Sequence, residues 1–321
     1  MRNMSNLVKI TVVIPAYNVE KYIGKTIESV LNQTFDSYEV IVVDDGSKDK
    51  TGIICDEYAA DNSRLKVVHQ DNGGVMSARL KGVEYANGEW ISFLDGDDRL
   101  PQDSLEELYA CISDKIDVVW GDSIFIDEDG NNIKVPSSVC SEGEICISLY
   151  KKLISGKPIA LHGLLFRKTL FNEPIIIDRR VVNNEDQIYN LFLSGRIRRV
   201  YKLNKVIHHY LIRQDGVSSR KFSVDYWYFV FQYVKDNYLK YGLEQKFYEL
   251  YILTRISSLV RAEGCYDFDY THSVFKNLKQ LSFSLRRSRY ENWALLIMKY
   301  PTSLVIKLSR FHPSKYLHKW R

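Results

Sequence analysis

The sequence predicts an α/β fold followed by a mostly helical C-terminal region, and three features of its 321 residues carry that reading. Over the first half, short apolar runs of strand length alternate with segments of helical apolar spacing. Several of those runs end at acidic residues. After about Val217 the composition shifts to aromatic residues with polar breaks. The predicted division is residues 1–216 and residues 217–321.

The elements follow in order. "KITVVIPAYN" predicts a strand through Ile14 and a Pro-containing loop, and Val19 to Gln33 carries a helical apolar stripe. "YEVIVVDDGSKD" repeats the pattern: Val40 to Val43 form a strand that ends at Asp44, Asp45 and Gly46, with a helix through Ile53 to Ala60. "RLKVVHQDNGG" is a third short strand with its turn, and "VMSARLKGVEYA" a helix. In "GEWISFLDGDDRL", Trp90, Ile91, Phe93 and Leu94 suit a sheet core, whereas Asp95, Asp97 and Asp98 need water, hydrogen bonds or a cation. A solvated, Asp-rich surface turn is the plain alternative for those acids. Ser104 to Cys111 reads as a helix and Ile116 to Trp120 as a fifth strand. In open α/β sheets ligands bind beyond the carboxyl ends of the strands, so Asp44 and Asp45 at one end and Asp95 and Asp97 at another predict a shared polar crevice.

Composition removes several function classes. With 45% hydrophobic residues the chain suffices for one large domain, or for a catalytic domain with an appendage. Five cysteines without a CxxC pair, and no secretory leader, argue against a disulfide scaffold or clustered zinc site and predict a reducing, cytoplasmic environment. No apolar run has the length of a membrane-spanning helix, which leaves peripheral contact open. Lys and Arg number 44 against 40 Asp and Glu, but from Lys276 to Arg321 the balance is eleven to one. Such a tail serves nucleic acid, an anionic membrane surface or water alone. No RNA or DNA motif accompanies it, so nucleic acid is not an expected partner. A Walker pattern is absent, and "DNGGVMSAR" lacks the three-glycine dinucleotide fingerprint.

"VVIPAYN", "VIVVDDGSKD", "DNGGVMSAR", "ISFLDGDD" and "NNEDQIYN" together resemble the ordered motifs of family 2 glycosyltransferases, over about residues 8 to 215. The resemblance implies a GT-A nucleotide-sugar-binding fold, a nucleotide-sugar donor, UDP-linked in expectation, and Mg²⁺ or Mn²⁺. It also implies transfer to a hydroxyl of a glycan or lipid-linked saccharide, with inversion at the anomeric carbon. A noncatalytic nucleotide-sugar-binding module is the alternative.

Carried onto single residues, the resemblance puts Pro15, Ala16 and Tyr17 around the base and ribose, although a tyrosine ring there also serves simple packing. Asp44 contacts the base, and Asp45 is a neighbouring donor-pocket acid. Arg79, which helical periodicity alone would leave in an exposed salt bridge, reaches the donor with its fork of N–H groups. Leu80 departs from the Asn often found next in the family. Asp97 is the more direct metal ligand, and Asp95 contacts ribose or the metal's surroundings, with Gly96 letting the chain turn between them. Asp186 is the catalytic base, against the alternative of a helix cap, and Glu185 orients the acceptor side.

The remaining motifs are weaker. His208 and His209 read as structural, and neither is assigned a metal. Arg213 is a diphosphate contact. "IDEDGN" is a surface turn, Gly143 to Ser155 a helix flanking the donor site, and His162 either an acceptor contact or a packed histidine. The Trp or Lys often found at the family's acceptor entrance is missing. The aromatics beyond Val217 belong to helical packing faces, and the terminal segment, interrupted at Pro301, has the pattern of interfacial helices. Peripheral attachment at the inner face of the cell membrane is the resulting expectation.

Overall fold

The computed structural model describes residues 8–134, 140–156, 159, 161–213, 221–263, 268 and 272. The chain divides into two compact units, Met1–Lys151 with Pro158–Arg220, and Lys152–Lys157 with Lys221–Arg321. The basic tail from Lys276 onward, with its predicted interfacial helices, lies outside the described residues.

The first unit is built on a sheet of nine strands among the described residues. These are β1 (Ile10–Ala16), β2 (Tyr38–Asp44), β3 (Leu65–His69), β4 (Trp90–Phe93), β5 (Val118–Ile126), β6 (Asn132–Lys134), β7 (Gly143–Cys146), β8 (Leu164–Arg167) and β9 (Arg199–Leu211). Their order is β3-β2-β1-β4-β8-β5-β9-β7, with β6 on β5. Strands β3, β2, β1 and β4 run parallel, whereas β8 is antiparallel to both its neighbours. A parallel sheet with helices on its faces buries both sides of its strands, which explains why all seven residues of β1 are buried.

Helices α1 (Ile23–Leu31), α2 (Thr51–Asp61), α3 (Val75–Tyr85) and α4 (Ser104–Ala110) alternate with the first strands, followed by α5 (Ile147–Gly156) and α6 (Glu185–Leu193). Helix α1 buries Ile23, Thr26, Ile27 and Val30, one face at helical spacing, into a core with Val12, Ile14, Val40, Val42 and Trp90. Helix α3 lies close on β1 because Gly82 has no side chain: a Cβ there would sit 2.2 Å from Val13 Cγ1.

Three boundaries differ from expectation. Helix α1 starts at Ile23, not Val19, because Val19 to Tyr22 form a turn held by the Val19 N–H donating to Thr51 Oγ1 at 2.8 Å. Strand β5 runs on to Ile126, since β9 offers a long parallel partner; the "IDEDGN" turn then joins β5 to β6. Gly143–Cys146 is an edge strand on β9, and the predicted helix begins only at Ile147.

In the second unit, α7 (Val224–Asn237) buries Trp227, Val230, Phe231 and Val234, again one helical face. The Ser223 hydroxyl caps it by accepting from the Tyr226 N–H. In α8 (Gln245–Glu263) Phe247, Tyr248, Tyr251 and Leu253 are buried, and the Arg255 guanidinium lies 4.4 Å from the Trp227 ring centroid. These aromatics therefore serve packing.

Candidate active site

The parallel register brings Ala16, Asp44 and His69 side by side at the carboxyl edge of β1, β2 and β3. The loops beyond are stapled together. Asn18 adopts a left-handed backbone (φ 51°), which Asn tolerates better than most residues; its N–H donates to Ser47 Oγ and its Oδ1 accepts from the Lys48 N–H. Asp44 Oδ1 accepts from the Ser47 N–H at 3.1 Å, and Oδ2 faces His69 Nδ1 at 3.0 Å. Asp45 accepts from Gln70 Nε2 and the backbone N–H groups of Gly73 and Gly74, all within 2.8 Å. Its carboxylate thus secures the turn that launches α3. Pro15, Ala16, Tyr17, Asp45 and Glu185 line a cavity of about 1050 Å³, and the Tyr17 ring is half exposed.

The acidic turn follows β4, where the Leu94 N–H continues the pairing by donating to Val13 O. Gly96 packs against Pro15 O and Val19, each 3.1 Å from where a Cβ would lie. Arg79, helically placed on α3, is buried and not an exposed salt-bridge partner: its Nη2 donates to Asp95 Oδ1 at 2.6 Å, and Nη1 lies 3.9 Å from Glu185 Oε1. Burial pushes the Asp95 carboxyl up, but the Arg79 guanidinium and His162 prevail and hold it at about 2. Asp97 goes the other way. Burial, then the charges of Asp98 and Asp95, push it up to about 7, against the opposing charge of Arg213. Arg213 Nε pairs with Asp97 Oδ2 at 2.8 Å, and its guanidinium covers the Tyr22 ring at 5.1 Å.

Asp98 is not a surface-turn residue. It is 1% exposed; Oδ1 accepts from the Leu211 N–H at 2.8 Å, Oδ2 lies 3.0 Å from His208 Nε2, and His208 Nδ1 contacts Ser123 Oγ. Paired backbone hydrogen bonds between Arg99 and His209 add a second tie to β9. His162 stacks on His208 with ring centroids 4.8 Å apart, and its buried Nδ1 makes no hydrogen bond while lying 3.6 Å from Asp95 Oδ2. Among the described residues Asp98, His162 and His208 form a group able to hold a metal ion, their ligand atoms all within 4.8 Å of one another. Burial and the nearby charges of Asp98 and Asp95 disfavour the ionised form of Asp97, so a cation held beside it would favour that form.

Across the cavity, Asn184 is left-handed (φ 65°) and turns the chain into α6 without a side-chain cap. Asp186 Oδ1 accepts from the Gln187 N–H at 2.7 Å. Glu185 is pushed up to about 8 by burial and then by the Asp186 charge, with Arg79 opposing. Tyr150 anchors the helix by donating from Oη to Asn190 Oδ1 at 2.8 Å, with both side chains buried. Sequence reasoning missed His69, Gln70 and Ser123, and it left Asp98 open between a surface turn, which its burial excludes, and a group supporting the metal site. The available signal was the "HQ" dipeptide at the end of β3, level with the paired acids of β2.

The family model for glycosyl transferase family 2 matches residues 11–179. The chain is 31% identical over 229 residues to glycosyltransferase GlyG of Streptococcus pneumoniae, covering 68% of this chain and 75% of that protein. It is 30% identical over 220 residues to the putative glycosyltransferase EpsH of Bacillus subtilis, covering 66% and 63%. GlyA of S. pneumoniae is 32% identical over 224 residues, but the chain spans only 31% of its length. Among solved structures, residues 1–349 of S. aureus TarS in complex with UDP superpose with a TM-score of 0.62 at 22% identity, covering 90% of this chain and 78% of that one. A mannosyltransferase from Pyrobaculum calidifontis in complex with GDP-Man and Mn²⁺ gives 0.52 at 16%, covering 95% and 76%. At those identities the likeness concerns the fold. The matched motifs and the GT-A architecture agree: the chain belongs to glycosyl transferase family 2 and transfers a sugar from a nucleotide-sugar donor to an acceptor.

Proposed function

We infer that the donor is UDP-linked, that the acceptor is a hydroxyl of a glycan or lipid-linked saccharide, and that transfer is a metal-dependent, inverting in-line displacement. The observation that supports this reading is the convergence on buried Arg79 of the Asp95–Gly96–Asp97 turn, through Asp95 at 2.6 Å, and of the Glu185–Asp186 pair, with Glu185 at 3.9 Å and Asp186 acting through its charge. Pro15, Ala16 and Tyr17 line the base and ribose, and Asp44 reads the base. Asp45 shapes the same pocket through the turn it secures. Arg79 holds Asp95 ionised in position.

Asp97 and Asp95 would hold Mg²⁺ or Mn²⁺, which when bound neutralises charge on the departing diphosphate. Arg213 adds a permanent positive charge beside it. Asp186 accepts the proton of the attacking acceptor hydroxyl, opposite the leaving group, while Glu185 and His162 shape the acceptor side. Glu185, pushed up to about 8 by burial and the Asp186 charge, favours its protonated form at neutral pH and suits hydrogen bonding more than ionic contact.

The test is incubation with UDP-hexoses, UDP-N-acetylhexosamines and GDP-mannose over a mixed acceptor pool, read by product mass and anomeric NMR couplings. A β-linked product from an α-linked UDP-sugar is expected. Retention of configuration, or turnover of GDP-mannose alone, refutes the respective part of the reading.

Residues 217–321 form the second region, and its basic tail attaches the enzyme peripherally to the inner face of the membrane. No helix among the described residues is long and apolar enough to cross a membrane. One of the relatives, the minor teichoic acid biosynthesis protein GgaB of B. subtilis, is 30% identical over 228 residues, of which the match covers 23% of its length. Truncation after about Phe283 is expected to reduce sedimentation with anionic vesicles, and added salt to weaken binding of the full chain. Equal binding by the folded, truncated protein refutes attachment through the tail.

A further inference from the structure

The strand end that carries Asp44 holds a second, unassigned arrangement. His69, the last residue of β3, is the register partner of Asp44 on β2. Its Nδ1 lies 3.0 Å from Asp44 Oδ2 and its Nε2 lies 3.1 Å from Asp56 Oδ1, on α2. An ionised carboxylate only accepts hydrogen bonds, so a ring between two of them must present an N–H on each side. A neutral imidazole has one N–H and would turn a lone pair toward one carboxylate. Gly52 makes the room, because a Cβ there would fall 2.8 Å from Asp44 Oδ2 and 3.4 Å from His69 Cε1.

We propose that His69 is a positioning residue for donor recognition, an imidazolium clamped between Asp44 and Asp56 that fixes the Asp44 carboxylate for the nucleotide base. The proposal rests on the reading of Asp44 as the base contact. With His69 on Oδ2 and the Ser47 N–H on Oδ1, the carboxylate plane is set from both oxygens, leaving its remaining lone pairs for a base N–H. The charged groups facing the ring are Asp44 from β2 and Asp56 from α2. The Cys55 thiol, pushed up to about 12 by burial and then by Asp44, Asp56 and Asp49, adds no charge. The Asp44 hydrogen bond leads the effects that raise His69, ahead of opposing burial and then Asp56.

The sign follows. A histidine whose pKa is raised by its partners keeps its contribution at low pH and loses it as pH rises through that raised value. Base recognition therefore loosens on the alkaline side. Titration of Asp97 also affects donor binding, but it is common to the native protein and a His69 variant, so their affinity ratio isolates His69.

The experiment is calorimetry of UDP binding at fixed Mg²⁺ between about pH 5.5 and pH 8.5 for the native protein, His69→Gln and Asp44→Asn. His69→Gln is expected to weaken UDP about five- to tenfold near pH 6, within the range for loss of one hydrogen bond at a half-exposed ring, with the ratio shrinking toward unity near pH 8.5. The loss falls on donor affinity more than on kcat. A ratio of one throughout, or one independent of pH, overturns the proposal. Native-like UDP binding by Asp44→Asn refutes the base-contact reading itself, whereas a defect in Asp44→Asn without one in His69→Gln refutes only the positioning role. Asp56→Asn, at a residue whose side chain is 58% exposed, is the second variant and should lower the His69 titration midpoint seen by NMR. A native midpoint at or below about 6.5, the ordinary histidine value, overturns the proposal as well.

Discussion

Asp186→Asn is expected to reduce sugar transfer by about a thousandfold, within the usual range for loss of a general base, while donor affinity stays within about threefold. The amide keeps the side chain's size and its contact to the Gln187 N–H, so α6 should persist. Asp95 and Asp97, the acids proposed for the donor side, lie on a separate turn after β4. Donor-binding calorimetry, product mass detection and a thermal unfolding control together check the result. Near-native transfer by the folded variant refutes the proton-acceptor role; loss of donor binding with transfer assigns Asp186 to the donor pocket instead. The neighbouring Glu185 is the informative comparison. It lines the cavity and is pushed up to about 8, so Glu185→Gln should cost less than Asp186→Asn.

The second large effect belongs to Asp97→Asn, which should abolish the dependence of donor binding on divalent cation and lower turnover at saturating donor by about a hundredfold or more. In the native protein Asp97 is pushed up to about 7, so cation-dependent binding should weaken as pH falls below that value, and the variant should lack this limb. Stability moves oppositely. A carboxyl that is harder to ionise in the folded chain binds more protons there than in the unfolded chain between its ordinary value and about 7, so folding stability declines as pH rises across that window. The metal-free Asn variant should accordingly melt at a higher temperature than the native protein near pH 7.5. An unchanged melting temperature, or turnover that is unchanged in the folded variant, counts against the role given to Asp97.

The alternation of strand and helix was legible in the sequence because burial has different periods in the two structures. The apolar run of β1 and the Ile23, Thr26, Ile27, Val30 face of α1 each announce their partner surface locally. Acids at the ends of β2 and β4 were equally legible, since charged residues directly after buried strands mark the sheet edge where the backbone emerges. The same holds for α7, whose four buried residues repeat at helical spacing.

Only the tertiary structure decided the partners of those acids. "DGDD" has the composition of a hydrated turn, and nothing local distinguishes Asp98 from a surface residue; its burial comes from His208 and Leu211, 110 and 113 positions later on β9. The insertion of β8 between β4 and β5 has no local sign either, although it places His162 beside the acidic turn. Arg79 and Asp95 meet across 16 positions, and His69 and Asp44 across 25. Local sequence determined which residues reach the sheet edge, through the period of burial. Strand order and register, set by the whole buried sheet, decided which charges face each other there and so the direction in which each carboxyl is shifted.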